Sequence, residues 1–94
     1  MSGTPETLAA VIAAMEDGKP GDLPLSPDLP MGAQGQLILA ARACRRVRDA
    51  AADAIAAACE GRITEARELA GEAVRDLATM RQRLDTAAVR ESQQ

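Results

Sequence analysis

From Leu37 to Ala58, and again from Ala66 to Ala87, small and aliphatic residues return at alternating intervals of three and four, and Gly61 stands between the two runs. The first run is Leu37, Ala40, Cys44, Val47, Ala51, Ala54 and Ala58; the second is Ala66, Ala70, Ala73, Leu77, Met80, Leu84 and Ala87. That alternation is the period of a helical stripe that keeps facing one neighbour. Gly61 is suited to end the first helix, because only glycine takes the left-handed conformation without a Cβ penalty. Thr64, followed by Glu65 and Glu68, has the form of the next helix start. The pattern therefore predicts an all-α fold built on two helices over about residues 36–60 and 64–90, each roughly 40 Å long. A connection this short makes neighbouring helices antiparallel, so the expected unit is a helical hairpin.

Most of these seam positions are alanine, and the chain of 94 residues contains no Phe, Trp or Tyr. It has room for one domain. Alanine lets helix axes approach toward ~8 Å but fills little volume. The larger residues gather at the open end of the hairpin, where Leu37, Ile38 and Leu39 are expected near Met80 and Leu84. The absence of His removes the commonest general base and metal ligand. No glycine-rich phosphate loop, nucleophile with a base, or metal-ligand spacing is present. The expectation is a non-catalytic protein with no cofactor and no metal.

Ahead of the hairpin, Thr4-Pro5-Glu6 reads as a helix start, and Leu8, Val11, Ile12 and Met15 carry helical spacing up to Asp17-Gly18. A short helix over about 5–17 is predicted. Residues 18–35 are rich in Pro and Gly, which argues against regular helix. Pro24, Pro27 and Pro30 repeat every third residue, as in polyproline II, with Leu23, Leu25, Leu29 and Met31 among them. This segment is expected to be an extended strap lying in an apolar groove. The first 35 residues set Lys19 against Glu6, Glu16, Asp17, Asp22 and Asp28, so the N-terminal third is acidic.

The apolar run Leu8 to Met15 is far short of the ~20 residues a membrane span needs. Cys44 and Cys59 fall on one predicted helix, roughly 22 Å apart, beyond the ~7 Å limit for a disulfide. Both read as small buried hydrophobes. Together these features predict a cytoplasmic protein without a membrane segment.

Arg42, Arg45, Arg46 and Arg48 are the densest charge cluster. Helical register turns Arg42 and Arg46, with Asp49 and Asp53, away from the seam, as a solvated face. Arg48, and next to it Arg45, lie at the edge of the seam beside Leu37, Ala41 and Ile55. An arginine there is expected to pair with a carboxylate across an interface, the N-terminal acids being candidates. The alternative is that Arg42, Arg45, Arg46 and Arg48 contact an anion or nucleic acid, although no aromatic is available to stack on a base. Arg81 occupies a similar edge on the last helix. Glu65, Glu68, Glu72 and Asp76 form an acidic stripe expected to face solvent. Ile38, Ala41, Ala52, Ile55, Ala56 and Cys59 lie outside the seam, so the hairpin carries apolar surface that needs covering. A protein partner or a second copy, completing a helical bundle, is expected to bind through Leu37, Ile38, Arg45, Arg48 and Ile55.

Gly61, Ile63, Ala66, Ala70 and Ala73, with Ala54 and Ala58 before them, match the turn and second helix of a tetratricopeptide repeat. Residues 54–74 thus resemble a single hairpin of that family, without its large aromatics and without a second copy. The resemblance implies a protein-binding hairpin. The expected role is a small interaction module: an adaptor, a chaperone-like protein or a regulatory subunit. A small DNA-associated regulator or antitoxin-like protein using the arginine cluster, and an accessory subunit of an enzyme or of a phage or secretion assembly, are the alternatives.

Overall fold

The computed structural model describes residues 5–92. Its regular structure consists of α1 (Pro5–Glu16), a 3-10 turn (Pro20–Asp22), α2 (Met31–Cys59) and α3 (Ile63–Ser92), with no strand among the described residues. The fold is all-α. The Thr4 cap expected for α1 lies outside the described residues. None of the helices is long and apolar enough to cross a membrane, among the described residues.

α2 ends at Gly61, whose φ of 84° places it in the left-handed region. The Arg62 N–H donates to the Ala57 carbonyl at 2.9 Å and the Gly61 N–H to the Ala58 carbonyl at 3.0 Å. These two bonds satisfy the last carbonyls of α2 in the Schellman pattern. The Arg62 carbonyl then accepts from the Ala66 N–H at 2.9 Å, so α3 starts at once. Arg62, rather than the expected Thr64, is the residue at the N-cap, because the tight turn leaves no space for a separate cap. The Arg62 side chain pairs with both Glu60 and Glu65. Glu60 first, then Glu65, holds its guanidinium above the ordinary arginine range.

α2 and α3 lie side by side. Gly32 faces Arg90, Gln36 meets Arg83, and Arg46 meets Asp76, a series that descends toward the turn. Every buried residue among those described is an alanine. On α2 the deepest are Ala43 at 0% exposure, Ala33 and Ala57 at 1%, with Ala40, Ala50 and Ala54 continuing the row. The seam therefore runs through Ala33, Ala40, Ala43, Val47, Ala50, Ala54 and Ala57. On α3 it runs through Ala66, Leu69, Ala73, Asp76, Met80, Arg83 and Ala87.

This corrects the register read from the sequence. Half of the expected positions hold: Ala40, Val47 and Ala54 on α2, and Ala66, Ala73, Met80 and Ala87 on α3. The other half moves by one residue, from Leu37, Cys44, Ala51 and Ala58 to Gln36, Ala43, Ala50 and Ala57, and from Ala70, Leu77 and Leu84 to Leu69, Asp76 and Arg83. The physical reason is that Ala50 and Ala51, or Ala57 and Ala58, are equal in size, so the spacing alone does not choose between two adjacent stripes, and the observed register lets Asp76 reach Arg46 and Arg83 reach Gln36.

The N-terminal segment also departs from expectation. α1 ends one residue early, and residues 31–35 are helical although they contain Gly32 and Gly35. Pro30, with φ −65° and ψ 155°, makes the entry to α2. Gly32 has Arg90 of α3 against it, where a Cβ would lie 3.3 Å from the arginine Cδ. Residues 23–30 form local turns: Leu25 N–H donates to the Leu23 carbonyl at 2.8 Å and Leu29 N–H to the Ser26 carbonyl at 3.2 Å. A polyproline II helix has no internal hydrogen bonds, so the proline spacing does not propagate. Leu23 and Leu29 are half-buried, whereas Met31 is 84% exposed.

The chain is rod-shaped, with a radius of gyration of 15.4 Å, against the ~13 Å of a compact domain of similar length. The turn that folds it depends on Gly61. A Cβ there would meet nothing within 4 Å, so Gly61→Ala should cost about 1–2 kcal/mol through backbone conformation alone. Gly61→Asn should cost less. Urea denaturation reads both, and an unchanged midpoint for the alanine variant would contradict the left-handed turn.

Candidate protein-binding surface

The one-residue rotation of the seam sets what remains outside. Leu37, Ala41, Cys44, Arg48, Ala51, Ile55 and Ala58 form a second stripe on α2, and Ile63, Arg67, Ala70, Val74, Leu77, Arg81, Leu84 and Ala88 form one on α3. Both repeat at three- and four-residue spacing, so each is continuous along its helix. Leu84 meets Leu37 and Cys44 in one apolar depression, which also holds Met80, Val11, Met15 and Leu23. The two stripes therefore share one side of the helix pair.

At the open end this face is partly covered by α1 and the turns after it. Val11, Met15 and Leu23 line the depression together with Leu37, Ala40, Ala41 and Cys44, Leu29 lines a second one with Ala33, Leu37, Leu84 and Ala87, and Leu84 stays 43% exposed. Toward the Gly61 turn the cover stops. Ile55 is 66% exposed, Ile63 56%, Val74 66% and Leu77 47%.

The arginine cluster divides by role. Arg48 Nη2 donates to the Met15 carbonyl at 3.2 Å, and Arg45 Nη1 to the Gly18 carbonyl at 3.5 Å. Both acceptors are at or just beyond the C-terminal end of α1, where unpaired carbonyls carry partial negative charge. α1 has no basic residue in its own last turn, so α2 supplies the cations. The carboxylate expected for Arg48 in the N-terminal segment is thus replaced by a main-chain oxygen, and its nearest acid is its own neighbour Asp49 at 3.6 Å.

Arg46 is exposed, as expected, and also bridges to Asp76 at 3.3 Å. That contact also takes Asp76 out of the solvent-facing acidic stripe, leaving Glu65, Glu68 and Glu72 exposed. Arg42 is exposed and shares a shallow surface with Arg45, Arg46 and Asp49. Ile38 is half-buried and lies one residue off the stripe that contains Leu37. Cys44 and Cys59 are free thiols, but only Cys44 is half-buried; Cys59, expected to be buried, is exposed because it ends the helix beside the turn. Arg81 is exposed beside Val74, Leu77 and Ala78.

Of the residues expected to bind a partner, Leu37, Arg45 and Arg48 engage the chain's own N-terminal segment, and Ile55 stands in the bare half of the face. Ile63, Val74 and Leu77, the most exposed apolar residues of α3 near it, were missed. Their signal was a second spacing of three and four, offset by one residue from the expected seam at its other positions and sharing Ala70, Leu77 and Leu84 with it. No protein-family model, curated protein or solved structure matches this chain.

Because Arg45 and Arg48 act on α1, replacing both by alanine should loosen that helix while leaving the α2–α3 pair intact. Amide hydrogen exchange is the direct readout. Faster exchange in α1 alone is expected, and unchanged α1 protection would contradict the role of these arginines. Arg48→Lys should retain part of the protection, since a single carbonyl does not require the planar arginine fork.

Proposed function

We propose that this chain is a small non-catalytic protein-interaction module, in which α2 and α3 form an antiparallel hairpin that binds through the face shared by their second stripes. The observation that carries the proposal is the bare half of that face, where Ile55 on α2 and Ile63, Val74 and Leu77 on α3 are each exposed along the two stripes. Scattered apolar residues on a surface need no explanation, but a row of them that continues stripes already lining the depression beside α1 does. Burying it against another helical surface completes a bundle. An adaptor or regulatory role fits such a surface, and the tetratricopeptide-like turn belongs to the same reading.

A nucleic-acid role for Arg42, Arg45, Arg46 and Arg48 has less support. Arg45 and Arg48 already serve α1, and Arg46 serves Asp76.

The test is sedimentation of the full chain beside Val74→Glu and Ile55→Glu. Both positions are exposed, so helix content should be retained. The wild type should associate at micromolar concentration and both variants should shift to monomer, because a charge in a closed apolar interface is strongly unfavourable. A wild-type mass unaffected by either substitution would contradict binding through this face.

A further inference from the structure

We propose that the occupant of the bare half-face is the α1 helix of a second copy of this chain, with two copies packed antiparallel about a two-fold axis so that each places its acidic α1 on the half of the other that carries Arg67 and Arg81. The inference rests on the protein-binding reading of the face and adds to it the identity and orientation of the partner.

The first support is shape. One end of the hairpin face carries α1 as an extra layer and the other end carries nothing, giving the molecule a step. Two such steps related by a two-fold axis fill each other, and the contact closes without leaving a free copy of the surface. The lengths agree. α1 has 12 residues and is ~18 Å long, while the bare stretch of α3 from Ile63 to Leu77 spans ~21 Å.

The second support is charge. The bare half is flanked by Arg48 on α2 and by Arg67 and Arg81 on α3, while Glu65, Glu68, Glu72 and Asp76 lie on the other side of α3 by helical register. Neither Arg67 nor Arg81 makes an ion pair among the described residues. α1 has the opposite character: Glu6 and Glu16 within it, Asp17 after it, and no basic residue. Its outer surface is also partly apolar, with Leu8 61% and Ile12 47% exposed. An apolar face that carries the unpaired Arg67 and Arg81 and a helix with exposed leucine, isoleucine and glutamates are complementary in both respects.

Sedimentation equilibrium of the full chain with exchanged charges tests the arrangement. Arg67→Glu with Arg81→Glu forms one variant and Glu6→Lys with Glu16→Lys the other, all at exposed positions. The wild type should dimerise. Each variant alone should self-associate at least roughly tenfold more weakly, given a few tenths to 1 kcal/mol for each of several exposed pairs. A one-to-one mixture should recover a heterodimer, with circular dichroism showing unchanged helix content. A Glu6→Lys, Glu16→Lys variant that dimerises like the wild type, while Val74→Glu is monomeric, would overturn the α1 arrangement and leave the protein-binding face standing. A mixture that fails to recover association, or a wild type monomeric at submillimolar concentration, would overturn the second-copy proposal itself.

Discussion

The structure depends on the close approach of two alanine-lined helices. Each buried methyl contributes only about 0.8 kcal/mol, compared with ~1.5–3 kcal/mol for a buried leucine. The α2–α3 pair therefore gains from the high helix propensity of alanine and from dense dispersion contact along a long seam. The register that buries Ala43, Ala50 and Ala57 has a second effect: it turns Leu37, Leu77 and Leu84 to one flank, where Leu77 and Leu84 stay 47% and 43% exposed on a face that the pair alone does not bury.

That flank explains the N-terminal segment. α1 is short enough to be marginal in isolation, and it is held by two means that both originate on α2. Val11 and Met15 line one apolar depression with Leu37, Ala41 and Cys44, while Arg45 and Arg48 donate to the carbonyls at its end. A helix that finishes in Glu16 and Asp17 places acids where its own dipole is unfavourable. Arginines from the neighbouring helix offset this, which gives a structural role to a charge cluster that would otherwise resemble an anion site. The same economy of contacts leaves the turn-proximal half of the face open.

The all-α class, the two long helices and the Gly61 turn were legible in the sequence because each rests on local rules: spacing, a left-handed glycine and the absence of proline. The seam register was not legible. Ala50 and Ala51, or Ala57 and Ala58, are chemically identical choices, and the decision between them comes from how closely the partner helix approaches. Helical entry at Met31 was hidden by Gly32 and Gly35, whose low propensity is overridden by packing against Arg90 at Gly32. The partner of Arg48 was hidden for a different reason: a main-chain carbonyl leaves no mark in a sequence, whereas a carboxylate does. Of the candidate surface, Ile55 was visible as surplus, but Leu77 was assigned to the seam and so removed from the face it helps to form.

The seam register carries everything else, and adjacent alanines report on it directly. Methyl-resolved nuclear Overhauser spectra of alanine-labelled protein would compare Ala50, 9% exposed, with its exposed neighbour Ala51. The expected result is a set of contacts from the Ala50 methyl to α3 and none from Ala51. Contacts to α3 from Ala51 in place of Ala50 would return Leu77 and Leu84 to the seam, remove the second face, and contradict the account.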